Sequence, residues 1–362
     1  MNADFWRGKR VLLTGHTGFK GGWLSLVLAH LGAEVTGFAL PPPTNPSLFA
    51  LARLDRETRS IIADLRDAGA IDRAVREARP EIVLHLAAQS LVRQSYADPA
   101  GTYATNVMGL VNLLEAARRG DSIRAILIVT SDKCYENRDW PWGYRENDAL
   151  GGHDPYSSSK ACAELAAAAW RASFFCAPES RAFIATARAG NVIGGGDWAQ
   201  DRLIPDILRA IEAGEPVRLR RPEAIRPWQH VLDPLHGYLL LAEKLCREGG
   251  AYAEAWNFGP ADDGTKPVKW LAERLAQQLS TQRQKPREIP LEIDARLHPR
   301  EAHCLKLDSA KARARLGWQP RWSLETALEY TAAWYRAWRE GADMRDATLR
   351  QIAAFAESGQ RP

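Results

Sequence analysis

The sequence predicts an α/β protein: a doubly wound parallel sheet, with a smaller mixed α/β lobe toward the C-terminus. Three observations carry that expectation. Short β-branched or aliphatic runs alternate with amphipathic stretches through the first half of the chain, a glycine-rich turn follows the first run directly, and the texture changes after Gly190. The strand-like runs lie at 10–13, 34–38, 60–63, 82–86, 125–130 and 183–188, and the helix-like segments at 23–31, 67–78, 103–118 and 157–173. Each helical segment is long enough for a right-handed crossover between parallel strands.

Beyond Gly190 the chain becomes rich in Gly, Pro and Arg, with Gly194-Gly195-Gly196, Pro216, Pro222 and Pro227. Residues 230–258 again read as helix then strand, while 266–279 and 323–338 read as surface helices. The expected division is therefore a dinucleotide-binding part over 1–190, with 230–260 returning to it. An interleaved substrate lobe is expected over 191–229 and 261–350, and a tail with little signal over 351–362.

The chain has 362 residues, 46% hydrophobic and 25% charged, which excludes disordered, collagen-like and fibrous classes. Lys+Arg 48 minus Asp+Glu 44 gives a net charge of +4, too mild by itself for a nucleic-acid binder. The five cysteines, Cys134, Cys162, Cys176, Cys246 and Cys304, are odd in number and never form a C-x-x-C pair, so a reducing cytosol is expected and no thiolate metal site. No metal-ligand spacing occurs elsewhere, and His85 reads as a core histidine. Residues 1–10 are polar, so no secretion signal is expected, and no apolar run approaches a membrane span.

Thr14-Gly15-His16-Thr17-Gly18-Phe19-Lys20-Gly21-Gly22 follows the first strand and opens the first helix, the context a pyrophosphate-binding turn requires. Glycine lets the backbone turn sharply and approach the phosphates. His16 and Lys20 read more readily as solvated loop positions. The acidic residue that normally holds the adenosine ribose is missing, since no Asp or Glu occurs from Val35 to Leu54. Residues alone thus leave NAD against NADP open. Asp64, before Leu65, reads equally as a partner of the adenine amino group or as a helix N-cap.

Tyr156-Ser157-Ser158-Ser159-Lys160 sets a phenol and an ammonium on one helix face. A cation beside a phenol favours phenolate, so the Tyr156 pKa is expected to fall toward neutrality. Strand ends at His85-Leu86-Ala87-Ala88-Gln89 and Thr130-Ser131-Asp132-Lys133 surround this pair in the expected order.

With these motifs, and with Ala189-Gly190-Asn191-Val192-Ile193-Gly194-Gly195-Gly196-Asp197-Trp198, the chain resembles the extended short-chain dehydrogenase/reductase family over nearly its whole length. The resemblance implies a Rossmann-type sheet, bound NAD, and 4,6-dehydration of a nucleotide sugar, CDP-glucose. It implies Ser131, Asp132, Lys133, Tyr156 and Lys160 as catalytic residues. The implied cofactor contacts are Gly15, Thr17, Gly18, Phe19, Lys20, Gly21, Asp64, Leu65, Leu86, Ala87 and Ala88, together with Tyr156 and Lys160. The implied substrate contacts are Gln89, Asn191, Arg202, Arg226 and His303, with Glu301 and Ala302 in the same segment. Asp132 must be protonated to act as the acid and Lys133 neutral to act as the base, requirements that desolvation favours and direct pairing opposes. A dehydratase for another sugar nucleotide, a 4-epimerase and a non-catalytic dinucleotide sensor are the competing readings.

Arg218, Arg220, Arg221 and Arg226 offer guanidinium groups suited to a pyrophosphate, although Arg218 and Arg220 read more readily as solvated loop positions. Neither a nucleic acid nor a membrane is an expected partner. Trp198 is a candidate to stack on the base. Apolar faces on the helices at 103–118 and 161–173 imply, by the resemblance, a homodimer or dimer of dimers through a four-helix interface.

Overall fold

A computed structural model gives the fold; it describes residues 1–176, 180–280, 290–294, 296 and 302–359. The central sheet has seven parallel strands: β1 (Arg10–Thr14), β2 (Glu34–Ala39), β3 (Arg59–Ile62), β4 (Ile82–His85), β5 (Ala125–Val129), β6 (Phe183–Ala189) and β7 (Ala255–Phe258). Their order across the sheet is 7-6-5-4-1-2-3. The doubly wound parallel sheet expected from the alternating pattern is thus present, and the strand order reverses between β1 and β4, where ligands bind in such sheets.

The central strands read as continuous apolar runs because both faces are covered. Val11, Leu13, Leu84 and Leu127 point into one core layer, and Leu12, Val83, Ile126 and Ile128 into the other. The second layer is closed by α2 (Ala68–Ala78), α3 (Gly109–Arg119) and α4 (Pro155–Phe174). The first is closed by α1 (Phe19–His30) and α6 (Leu232–Glu248). The stretch at 230–258 forms α6 and β7, so it completes the sheet beside β6.

Residues between and beyond these elements lie outside the central sheet. Three two-stranded pairings join Val192–Ile193 to Gln229–His230, Ile225–Pro227 to Thr265–Pro267, and Val217–Leu219 to Leu291–Ile293. They are flanked by α5 (Leu203–Ala213), α7 (Val268–Ser280) and α8 (Leu324–Arg339).

Two expectations need correction. The tail expected over 351–362 is helical through Ser358, the second half of α9 (Met344–Ser358), which is capped by Asp343 and buries Met344, Thr348, Gln351, Ile352 and Phe355. That spacing is a helical stripe, hidden in the sequence by the alanines and charges around it. Only residues 360–362 of that stretch lie outside the described residues. The helix expected at 103–118 also carries a π-turn over Ala104–Met108 before α3, a feature that often marks functional sites.

Candidate functional site

The loops that leave the carboxyl ends of β1, β4, β5 and β6 converge on one cavity of about 680 Å³. Its lining brings together every implied site residue except His303: Gly15, Thr17, Gly18, Phe19, Lys20, Gly21, Asp64, Leu65, Leu86, Ala87, Ala88, Gln89, Ser131, Asp132, Lys133, Tyr156, Lys160, Asn191, Arg202 and Arg226.

One end is made mainly of backbone. Gly15 adopts φ +80°, and a Cβ there would lie 2.8 Å from the Ala87 nitrogen; a Cβ on Gly21 would lie 2.0 Å from the Gly15 carbonyl oxygen. Gly18 is the N-cap of α1 and offers no side-chain cap, so first-turn N–H groups remain for an anion. This tight, uncapped cradle fits the pyrophosphate of a dinucleotide. The Thr14 hydroxyl accepts from the Leu86 and Ala87 N–H groups, both at 3.2 Å, and is 2.7 Å from His85 Nδ1, which ties the β1 turn to the β4 loop. His85 is buried and neutral, held to a pKa of about 3 by desolvation.

His16 is not a solvated loop residue. Its buried ring lies 2.6 Å from Ser60 Oγ through Nε2 and against Phe49, in space that Gly37 leaves open, and burial lowers its pKa to about 4. The Thr17 hydroxyl donates to Leu40 O at 2.9 Å, so the turn is braced by main chain where an acidic residue was missing. Asp64 is not a helix N-cap, a role taken by Asp67; it holds Arg66 through the backbone (2.9 Å) and the guanidinium (2.6 Å) while still lining the cavity.

The other end is made of buried side chains. Asp154 caps α4 with Pro155 behind it, which sets Tyr156 and Lys160 on the helix face turned to the β5 loop. Ser131 caps a short 3₁₀ turn over Asp132–Cys134: its hydroxyl accepts from the Lys133 N–H at 3.2 Å and donates to Asp132 Oδ1 at 2.9 Å. As a hydrogen-bonding neighbour it also pulls the pKa of the Tyr156 phenol down. Asp132 is 3% exposed, and burial raises its pKa; its Oδ2 has no hydrogen-bond partner among the described residues. Asp132 and Lys133 do not form the inert ion pair that would have opposed their chemistry, for the carboxylate takes its hydrogen bond from Ser131.

The expected direction of the Tyr156 shift is wrong for the protein alone. Burial pushes the phenol up to about 12, and burial also lowers Lys160 to about 8. Desolvation is the largest influence on the phenol and outweighs the Ser131 hydroxyl and the Arg202 cation, which pull it down.

Among the substrate positions, Arg202 is held by Asp197 (3.0 Å) and Ser90 (2.9 Å). Arg226 is buried and donates to Ile225 O (2.9 Å) and Ala302 O (2.7 Å). Asn191 lines the cavity and its carbonyl accepts from Gln229 N at 3.1 Å. Gln89 lines it too, with its amide spent on Leu91 O (3.1 Å) and Thr102 Oγ1 (2.9 Å). His303 is not brought to the cavity: its side chain is exposed, and only its backbone matters, accepting from Ile225 N at 2.8 Å. Glu301 lies outside the described residues. Arg220 is half-buried and bonded to Asp201 O at 3.0 Å rather than solvated, whereas Arg218 is exposed. Trp198 lines the cavity but packs against Trp334, Tyr335 and Trp338.

Several residues escaped the sequence reading. Asn106, on the π-turn, donates to Ser159 Oγ (2.8 Å) and Gln89 O (3.0 Å), joining the β4 loop to the catalytic helix. Glu164, two turns past Tyr156 on α4, pairs with Arg188 at 2.9 Å, both side chains 3% exposed, and accepts from Thr130 and Thr186. The i, i+4, i+8 spacing of Tyr156, Lys160 and Glu164 was the available signal. Lys20, an implied cofactor contact, is not a solvated loop residue: it lines the cavity, its ammonium 5.9 Å from the centre of the buried Tyr238 ring, and burial beside Arg202 and Lys160 lowers its pKa to about 8.

A sheet of this order, with a glycine turn at β1 and a Tyr-Lys face at the end of β5, defines the extended class of short-chain dehydrogenases/reductases. A family model described as GDP-mannose 4,6 dehydratase matches residues 12–331, and the chain belongs to that family. It is 49% identical to CDP-glucose 4,6-dehydratase of Salmonella typhimurium over 100% of both chains. It is 26% identical to a dTDP-glucose 4,6-dehydratase of Xanthomonas campestris over 95% of this chain and 98% of that one. The fold is shared with a dTDP-glucose 4,6-dehydratase from Streptomyces venezuelae solved with NAD and TYD bound, at TM-score 0.77 and 24% identity over 93% of this chain and 99% of that one. It is shared equally with UDP-glucose 4-epimerase from Thermotoga maritima, at TM-score 0.75 and 23% identity over 91% and 99%.

Proposed function

We propose that this chain is a CDP-glucose 4,6-dehydratase, converting CDP-D-glucose to CDP-4-keto-6-deoxy-D-glucose and water on bound NAD. The observation that carries this reading is the buried Asp132 carboxyl, free at Oδ2, beside Lys133 and next to the Tyr156–Lys160 pair. A 4-epimerase needs proton transfer at the C4 oxygen alone, whereas elimination across C5 and C6 needs a further acid and base. The full-length relative at 49% identity supports the cytidine nucleotide as the substrate handle.

The turn from Gly15 to Gly21 holds the cofactor pyrophosphate, with Thr17, Phe19 and Lys20 on it. Asp64 and Leu65 would take the adenine side, and Leu86, Ala87 and Ala88 would border the dinucleotide from the β4 side. Bound there, NAD would supply the hydride acceptor for C4 and the hydride donor for C6. Tyr156 takes the proton of the C4 hydroxyl while Lys160 supplies positive charge beside it. The 4-ketone acidifies C5–H, Lys133 accepts that proton, and Asp132 protonates the departing C6 hydroxyl. Arg226 and Arg202 hold the substrate pyrophosphate, and Asn191 the sugar nucleotide; Gln89, whose amide and backbone are both engaged, shapes the wall beside them.

The chain acts in the cytoplasm as a homodimer or dimer of dimers, joined through the helical region that carries exposed Tyr103 and Met108 and through exposed Leu165 on α4. No described helix is long and apolar enough to cross a membrane. The reading is tested by turnover of a panel of CDP-, dTDP-, GDP- and UDP-glucose, with the bound cofactor identified by mass spectrometry. Preference for CDP-glucose and recovery of NAD are expected; turnover restricted to another nucleotide overturns the assignment.

A further inference from the structure

The proposed reaction leaves an unbalanced proton. The C4 hydroxyl loses one that the 4-ketone never regains, and the C6 hydroxyl gains one as it leaves as water. The proton removed from C5 is returned there, and hydride moves from C4 to C6, so neither corrects the difference. With Tyr156 as an isolated base and Asp132 as an isolated acid, each turnover ends with one proton too many on Tyr156 and one too few on Asp132.

The side chains at this site already connect those two groups. Ser131 and Tyr156 line the same cavity, the Ser131 side chain pulls the phenol pKa down as a hydrogen-bonding neighbour, and its hydroxyl donates to Asp132 Oδ1 at 2.9 Å. All three are buried, with exposures of 7%, 8% and 3%, so bulk water is a poor competitor for the transfer. Resting on the dehydratase reading, we propose that Tyr156, Ser131 and Asp132 are one proton wire, which carries the proton of the C4 hydroxyl to the C6 leaving group within a single turnover.

Atoms balance along it. The C4 O–H breaks as an O–H forms on Tyr156; the phenol's own proton passes to Ser131 Oγ; the Ser131 proton passes to Asp132 Oδ1. Later the Asp132 O–H breaks, an O–H forms at the C6 oxygen, and the C6–O bond breaks to release water. Every residue ends in its starting state. The wire also explains how a phenol held at about 12 can act as a base near neutrality: it need not be ionised, because it hands on its proton as it receives another. A buried carboxylate whose pKa is raised is a suitable end point. Gly190 contributes room at that end, since a Cβ there would lie 3.0 Å from Asp132 Oδ2.

The test is the pH profile of Ser131→Ala against wild type and Ser131→Thr, each first checked by circular dichroism and melting. Without the hydroxyl, Tyr156 must ionise by itself, so the rate of Ser131→Ala is expected to rise by about tenfold between pH 7 and 8, the slope of a single uncoupled deprotonation. Wild type and Ser131→Thr, which keep the hydroxyl, are expected to change by less than about twofold over that unit. A merely structural Ser131 would lower the rate at every pH and leave the slope alone. A Ser131→Ala profile parallel to wild type, or a Ser131→Thr profile as steep as Ser131→Ala, overturns the wire. Absence of keto-deoxy product from the wild-type enzyme would instead overturn the dehydratase reading.

Discussion

The two ends of the cavity are built from different materials. The dinucleotide end is mostly main chain: Gly15, Gly18 and Gly21 at the turn, Leu86 to Ala88 opposite, and Leu40 O bonded by Thr17. The reaction end is polar side chains: Tyr156, Lys160, Asp132 and Arg226, which are buried, and Lys20 and Arg202, which are half-buried. The first depends on space, so its sensitive positions are those where a Cβ would collide. The second depends on protonation and charge, so its sensitive positions are those where one functional group is exchanged for a near-isostere.

The largest effect is expected at the main-chain end. Gly21→Ala forces a methyl within 2.0 Å of the Gly15 carbonyl, and calorimetry should register no dinucleotide binding; retained binding would show that the turn relaxes and that the contrast between the ends is weaker than drawn. Next, Tyr156→Phe keeps the shape of the reaction end and removes its proton path, with an expected loss of about 10²- to 10⁴-fold in turnover and little change in dinucleotide affinity. Lys133→Met should slow elimination far more than the first oxidation, seen as transient absorbance of reduced nicotinamide during the reaction. Unchanged turnover would remove Lys133 from the role of base.

A smaller effect concerns pH. Burial lowers the Lys160 pKa from its ordinary value to about 8, so the ammonium beside Tyr156 is present below that pH and lost above it; turnover should therefore fall as pH rises through about 8. A rate that is constant to pH 10 would mean that the cation is dispensable. Beneath the reaction end, Glu164→Gln leaves the Arg188 charge buried without its partner, which should cost about 3–5 kcal/mol in denaturant unfolding. At the dinucleotide end, Ser60→Ala removes the His16 partner for about 1 kcal/mol, the smallest change expected.

The same contrast governs how much of the molecule was legible beforehand. The sheet was legible because strands covered on both faces must be continuous apolar runs, and β1, β4 and β5 have no other plausible place than its centre. The turn and the Tyr156/Lys160 face were legible because local spacing fixes them. The Tyr156 shift was not, since its sign depends on how deeply the folded chain buries the phenol, and spacing reports only the nearby cation. His16 was misjudged for a similar reason: its place under Gly37 is a tertiary fact. His303 was carried by resemblance to a segment whose backbone, rather than its side chain, approaches the site through Arg226. The C-terminal helix was overlooked although Met344, Thr348, Ile352 and Phe355 keep helical spacing, because alanine and charge dilute the stripe.

One active site oxidises C4, eliminates water across C5 and C6, and restores the hydride at C6. Mass spectrometry and proton NMR of the product formed from CDP-glucose deuterated at C4 test it directly. The expected product is lighter by one water and retains the deuterium, now at C6. A product of unchanged mass, as epimerisation would give, or a dehydrated product that has lost the deuterium, would contradict it.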